Sequence, residues 1–168
     1  MEATQKRLIG RLRALGTASD LVLKHGFDVL EANAVVRAVL EPFLTASPPR
    51  LAFEGPHLEL SERFGGALAL AIHELASNAL KYGALSEPGG AVDFRWKVSP
   101  VESDERVMFV WTERGGPMPV SQTRDGFGHR LIRSVVAGEA EGEVEIELPP
   151  EGLVCRISYL RRKRLARA

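Results

Sequence analysis

Apolar and polar residues recur along this chain with two different periods, and the switches between them mark out its elements. From Glu2 to Lys24, Leu8, Leu12, Leu15 and Leu23 fall on one side of a helix with Lys6, Arg7, Arg11 and Arg13 elsewhere, and the pattern ends near His25-Gly26. LEANAVVRAVLEPFL carries Val35, Val36, Val39 and Leu40 at helical spacing and stops against Pro42, which cannot continue the hydrogen-bond ladder. After Ser47-Pro48-Pro49 the period changes to two. RLAFEG and HLELS predict short strands around Gly55-Pro56, and AVDFRWKVSP and ERVMFVWTE predict paired strands joined through PVESDE. GHRLIRSVVAGE is helical. EGEVEIELPP and GLVCRISYL predict two last strands, with Val144, Ile146 and Leu148 on one face, and with Leu153, Cys155 and Ile157 opposed to Val154, Arg156 and Ser158. Strands in hairpins on one side and helices on the other make an α+β two-layer arrangement.

The longest helical pattern runs from Ser61, a plausible N-cap, to Leu85. Leu68, Ile72, Leu75, Ala79 and Tyr82 form its apolar stripe, which predicts a face packed on the core. Glu74, Asn78 and Lys81 share a narrow strip on nearly the opposite side, either a solvated face or one wall of a polar site. Asn is a mediocre helix former because its amide competes for backbone hydrogen bonds, so its place in mid-helix favours the second reading. The exit, KYGALSEPGG, is rich in turn formers.

Composition narrows the possibilities. A length of 168 residues suggests one domain with room for a small appendage. The 22 basic and 22 acidic residues cancel, so global charge does not argue for nucleic acid or a membrane surface, and the only basic run, Arg161 to Arg167, reads as a solvated, frayed tail. The single cysteine, Cys155, lies in an apolar alternating run and reads as a small core residue of a protein in a reducing compartment. With no apolar run approaching the ~20 residues of a membrane span and no apolar stretch at the start, a cytoplasmic protein is expected.

Two glycine clusters flank the segment from Pro117 to Asp125. Trp111-Thr112-Glu113-Arg114-Gly115-Gly116 closes a strand with a carboxylate and then supplies two residues without Cβ, suited to a tight turn or to close approach to a flat ligand. Asp125-Gly126-Phe127-Gly128-His129-Arg130-Leu131 opens a helix, where unpaired N–H groups and the positive end of the dipole suit phosphate. Each cluster alone is a weak signal, and neither has the spacing of a P-loop or of a strand-linked dinucleotide motif. In this order, with the Glu/Asn/Lys strip before them, they supply different groups that a nucleotide needs.

HELASNALKYGALS resembles the N box of the ATP-binding domain of sensor histidine kinases, in the form found in the HWE family. That family is named for a His in the N box, here His73, and a Trp-x-Glu in the first glycine box, here Trp111 and Glu113. GFGHRLI resembles the second glycine box and the segment before it the family's abbreviated ATP lid. The similarity spans Leu51 to Leu160, and RLRALGTASDLVL resembles the second helix of the dimerisation region. The resemblance implies a Bergerat-type fold of the GHKL superfamily, a mixed, mostly antiparallel sheet packed on helices. It divides the chain into a helical, partly dimerising segment at 1–45, an ATP-binding domain at 46–160 and a basic tail at 161–168.

It also implies roles. Asn78 would hold Mg²⁺ through its amide oxygen. Lys81 would pair with phosphate, and Glu113 would accept a hydrogen bond from the adenine amino group and so disfavour guanine. Gly115 and Gly116 would pass beside the adenine, and Gly126, Phe127 and Gly128 would bring N–H groups to the phosphates. Glu74 is either a general base or a carboxylate that fixes Asn78 or a metal-bound water. His73 would shape the site, His129 would touch phosphate or cap its helix, and Tyr82 would line the adenine pocket or belong to the core. The implied reaction moves the γ-phosphoryl of ATP to a histidine and then to an aspartate of a response regulator receiver domain, in a homodimer formed through the N-terminal helices. No histidine of this sequence stands in the acceptor's setting, so a part of a larger kinase that binds ATP without phosphorylating itself is expected. Two other readings are a serine kinase and anti-sigma factor of the same superfamily, and a non-catalytic adaptor with a vestigial pocket.

Overall fold

The computed structural model describes residues 9, 16, 29–44, 49–118 and 127–162. The helix expected over 2–24 therefore lies outside the described residues except at Ile9 and Gly16, which are helical, and so does its role in a dimer. In chain order the elements are β1 (Val29–Glu31), α1 (Ala32–Leu40), β2 (Leu51–Glu54), β3 (Glu59–Ser61), α2 (Glu62–Lys81), β4 (Ala91–Val101), β5 (Asp104–Arg114), α3 (Phe127–Val136), β6 (Ala140–Glu147) and β7 (Val154–Arg162). Short 3-10 turns follow α1, at Glu41–Phe43, and α2, at Ala84–Ser86.

The main sheet has the order β2-β4-β5-β7-β6, with β2 parallel to β4 and every other pair antiparallel, the mixed, mostly antiparallel sheet that was expected. Alternation decides which face carries the helices. Val92, Phe94 and Trp96 of β4, Val107, Phe109 and Trp111 of β5, and Cys155, Ile157 and Tyr159 of β7 are buried, and they share one core with the buried side chains of α1, α2 and α3. Phe64 of α2 joins the layers, its ring centroid 4.7 Å from that of Tyr159 and 6.0 Å from that of Phe109. Fully burying a side chain such as Phe64 or Phe109 contributes roughly 1.5–3 kcal/mol.

The hairpin β4–β5 turns through Glu102 and Ser103 alone, a tighter joint than the six-residue connection read from the sequence, and Glu102 takes a φ of 52° there. β1 is a correction. The sequence reads Leu30 and Glu31 as helical, but they pair with Leu60 and Glu59 of β3 in a separate two-stranded sheet. Leu30 is buried against α2 at Gly65, and Glu31 serves as the N-cap of α1, its carboxylate accepting the Ala34 N–H at 2.9 Å. The segment at 1–45 is therefore not wholly helical, and α1 belongs to the same core as the sheet. Arg37 of α1 stacks over the ring of Phe53 in β2, 5.4 Å from its centroid.

α2 is the element that positions the site. Ser61 caps it, its hydroxyl accepting the Phe64 N–H at 3.2 Å. Leu68, Ile72, Leu75 and Ala79 of the stripe are buried as expected, but Tyr82 is 66% exposed and not in the core. The helix ends at Lys81, and Tyr82 at φ −138° and ψ −13° leaves the helical path, so the stripe's periodicity no longer applies to it. Leu70, Ala71 and Ala76, off the stripe, are buried too, because α1 and α3 pack on α2 in addition to the sheet. The first two residues of the expected tail are a further correction, the rest lying outside the described residues: β7 runs to Arg162, and Arg161 donates to the Glu105 carboxylate at 2.6 Å and to the Glu59 carbonyl at 3.4 Å, tying the two sheets together. Among the described residues no helix is long and apolar enough to cross a membrane.

Candidate functional site

The strand end of the site is built around Glu113. Period two places Trp111 and Glu113 on the same, helix-covered face of β5, where the indole is fully buried and the carboxylate is 4% exposed. A buried indole N–H needs an acceptor, and Trp111 Nε1 donates to Glu113 Oε1 at 3.1 Å. Glu113 Oε2 accepts the backbone N–H of Ala84, just past α2, at 2.9 Å. Burial pushes the Glu113 carboxyl above its ordinary range, and the Ala84 and Trp111 donors pull it part of the way back. Each carboxylate oxygen keeps a second lone pair, so the group remains an acceptor for a ligand donor.

Close backbone packing makes this geometry possible. A Cβ at Gly83 would lie 2.1 Å from Glu113 Oε2 and 2.9 Å from the Ala79 Cα, so only glycine lets the helix exit approach the carboxylate. Gly116 packs in the same way on the backbone of Ala84, and Gly115 turns the chain at φ +68°. These two glycines thus pack on the chain at 83–84 and 89–90.

The helix end of the site follows the polar strip. Glu74 is 8% exposed, Asn78 half-buried and Lys81 exposed, so the strip is not a solvated face throughout but opens progressively toward the C-terminus of α2. His73 lies elsewhere on the helix, its ring edge-on to Phe43 of the 3-10 turn after α1 at 5.8 Å. α3 begins at Phe127, so Phe127, Gly128 and His129 occupy its first turn instead of a preceding loop, where backbone N–H groups lack intrahelical acceptors. Gly126 lies outside the described residues.

The fold thus brings Glu113, Trp111, Ala84 and the glycines at 83 and 116 together at the C-terminal end of the helix that carries Asn78 and Lys81. His73 is not in that group, and Tyr82 is beside it in sequence but faces solvent. Ala84 and Arg50 are participants that sequence reasoning misses. Arg50 donates to the carbonyls of Glu87, of Leu85 at 3.2 Å and of Gly90 at 3.4 Å. Its partners are backbone atoms, which no residue-type pattern announces.

A five-stranded mixed sheet covered on one face by helices is the fold that this chain shares with histidine kinase catalytic domains. The histidine kinase domain of an Erythrobacter litoralis blue-light activated histidine kinase superposes with a TM-score of 0.61 at 16% identity, covering 91% of this chain and 74% of that one. The histidine kinase ThkA, in complex with the response regulator protein TrrA, superposes at 0.51 and 16% identity, over 89% of this chain and 48% of that one. In sequence, the chain is 39% identical over 144 residues to a blue-light-activated histidine kinase of Brucella anthropi, a match that covers 86% of this chain and 29% of the relative. The family model for HWE histidine kinases matches residues 1–57. The chain is thus similar to HWE histidine kinases, by its first 57 residues in the family model and by 39% identity to this relative, and it spans 29% of the length of the curated relative it matches.

Proposed function

We propose that this chain binds ATP with Mg²⁺ and, as part of a longer sensor kinase, donates the γ-phosphoryl to a histidine of the dimerisation region, from which it passes to an aspartate of a response regulator. The observation that carries the reading is Glu113: a buried carboxylate held by two N–H donors, with no cation among its hydrogen-bond partners in the described residues, at the end of a helix that presents an amide and an ammonium. Glu113 accepts from the adenine amino group, and a guanine carbonyl there would set two acceptors against each other. Lys81, exposed and mobile, meets phosphate oxygens as a point charge. The first-turn N–H groups of Phe127, Gly128 and His129 donate to the same anion.

The residues present fit Mg²⁺. Asn78 offers a hard amide oxygen, with the buried Glu74 carboxylate one turn earlier on the helix. Mg²⁺ keeps waters and phosphate oxygens in most of its positions and needs only one or two protein oxygens. The ion supplies neutralisation of charge on the phosphates. Glu74 fixes Asn78 or orients a water. The ThkA–TrrA complex makes a receiver domain the natural acceptor downstream.

Calorimetry with ATP, ADP and GTP, with and without Mg²⁺, tests the reading. ATP and ADP bind, GTP binds at least tenfold more weakly, a loss of about 1.4 kcal/mol, and Mg²⁺ strengthens ATP. No adenine-nucleotide binding under any condition overturns it.

A further inference from the structure

Arg50 stands between the Pro48-Pro49 break and β2, outside every motif of the family resemblance. Its surroundings form a closed circuit. The Arg50 carbonyl accepts the N–H of Val92 at 2.8 Å, and Val92 is the register partner of Glu113 across β4 and β5. Its guanidinium grips the carbonyls of Leu85, Glu87 and Gly90, which belong to the strap that joins α2 to β4. The same strap carries Ala84, whose N–H returns the circuit to Glu113 Oε2. Bonds within the strap are local: Ser86 N–H to the Gly83 carbonyl at 3.0 Å, Glu87 N–H to that of Ala84 at 3.3 Å and Gly90 N–H to that of Glu87 at 3.1 Å. They shape the strap without fixing it to the sheet. The planar fork of an arginine, with five donors and a permanent charge, spreads two nitrogens over three carbonyls in a fixed geometry that the single nitrogen of a lysine does not reproduce.

We propose that Arg50 is a positioning residue for base recognition: it holds the 83–90 strap against the sheet so that the Ala84 N–H aims the Glu113 carboxylate at the adenine edge. The inference rests on the proposed role of Glu113 and adds the device that sets its geometry. Without the clamp, the Ala84 donor moves relative to Glu113, and the carboxylate, still held by Trp111 through Oε1, is free to turn about that contact.

The test uses the full chain and the substitutions Arg50→Ala and Arg50→Lys. Amide exchange at Ala84 and the Trp111 indole N–H resonance report the carboxylate's two partners, and calorimetry with ATP and GTP reports base reading. In Arg50→Ala, Ala84 exchanges faster, the Trp111 indole resonance shifts, ATP binds about tenfold more weakly and GTP is unchanged. Arg50→Lys recovers part of the ATP preference, and it serves alone should the alanine variant fail to fold. A merely structural arginine would lower the melting temperature and leave the ATP to GTP ratio where it was. Unchanged Ala84 and Trp111 signals overturn the proposal, as does a full ATP preference in a variant where both signals have moved. Should the wild-type chain fail to prefer ATP, the nucleotide reading falls and the base-reading role with it, while the two resonances still decide whether Arg50 aims the carboxylate.

Discussion

At the strand end of the site Glu113 is 4% exposed and both of its oxygens are engaged, whereas at the helix end Asn78 is half-buried and Lys81 lies in solvent. In the proposed function the two ends face different tasks. A base edge is flat and of fixed shape, so the group that reads it gains from being held in place before the ligand arrives. Phosphates and a hydrated cation bring their own charge and water, and the groups that meet them stay solvated until then, which avoids burying an unpaired ammonium. On that reading, burial and hydrogen bonds are concentrated where discrimination is needed, and exposure where charge must be exchanged.

The contrast is broken most severely by Glu113→Ala. It leaves the Trp111 and Ala84 N–H groups without their acceptor, which costs about 3 kcal/mol of stability in denaturant melts, and it weakens ATP binding ~10- to 100-fold by calorimetry. The raised pKa of Glu113 adds a signature. In its pH window the native state binds more protons than the unfolded chain, so this group's contribution to stability is fully present below the unfolded pKa and is lost as pH rises through the folded one. ATP affinity runs the other way, falling as pH drops through the same range because a neutral carboxyl is the weaker acceptor. Subtracting the Glu113→Ala pH profiles from the wild-type ones isolates both trends; parallel trends would remove Glu113 from the base site.

Gly83→Ala follows, since its Cβ must displace the carboxylate or the helix end: about 2 kcal/mol of stability is lost, with a shift in Trp111 fluorescence. Asn78→Ala, at the open end, changes stability by no more than about 0.5 kcal/mol yet removes the Mg²⁺ dependence of ATP binding. A melt as damaged as that of Glu113→Ala would show that the helix end is no less built-in than the strand end. The smallest effect sharpens the comparison from within the core. Cys155, the register partner of Trp111, is 2% exposed and its thiol is pushed up to about 12 by burial, so native protein at neutral pH should react with thiol reagents only as fast as it opens.

Much of this was legible in the residues because side-chain period reports burial. The alternation of β4 and β5, the Ser61 cap, the stripe from Leu68 to Ala79 and the pairing of Trp111 with Glu113 on one strand face all follow from spacing. The core alternative for Tyr82 fails because periodicity carries no information about where a helix stops. β1 was read as helix because three residues are too few to establish a period of two, and its pairing with β3 is set by Leu30 packing on α2. Arg50 and Ala84 act through backbone carbonyls and a backbone amide, atoms that every residue shares, and only the fold chooses among them.

The two-residue turn at Glu102 and Ser103 bears on the order in which the molecule assembles. Counted from the Val101↔Asp104 pair at the turn, Val92↔Glu113 is the tenth of the hairpin's pairs. A hairpin that zips from its turn closes that end last, and β2, whose pairing with β4 spans a long stretch of chain, joins only after still more loop closure. By this order the end that holds Glu113 is a late product of folding and a natural place for local opening of the finished sheet.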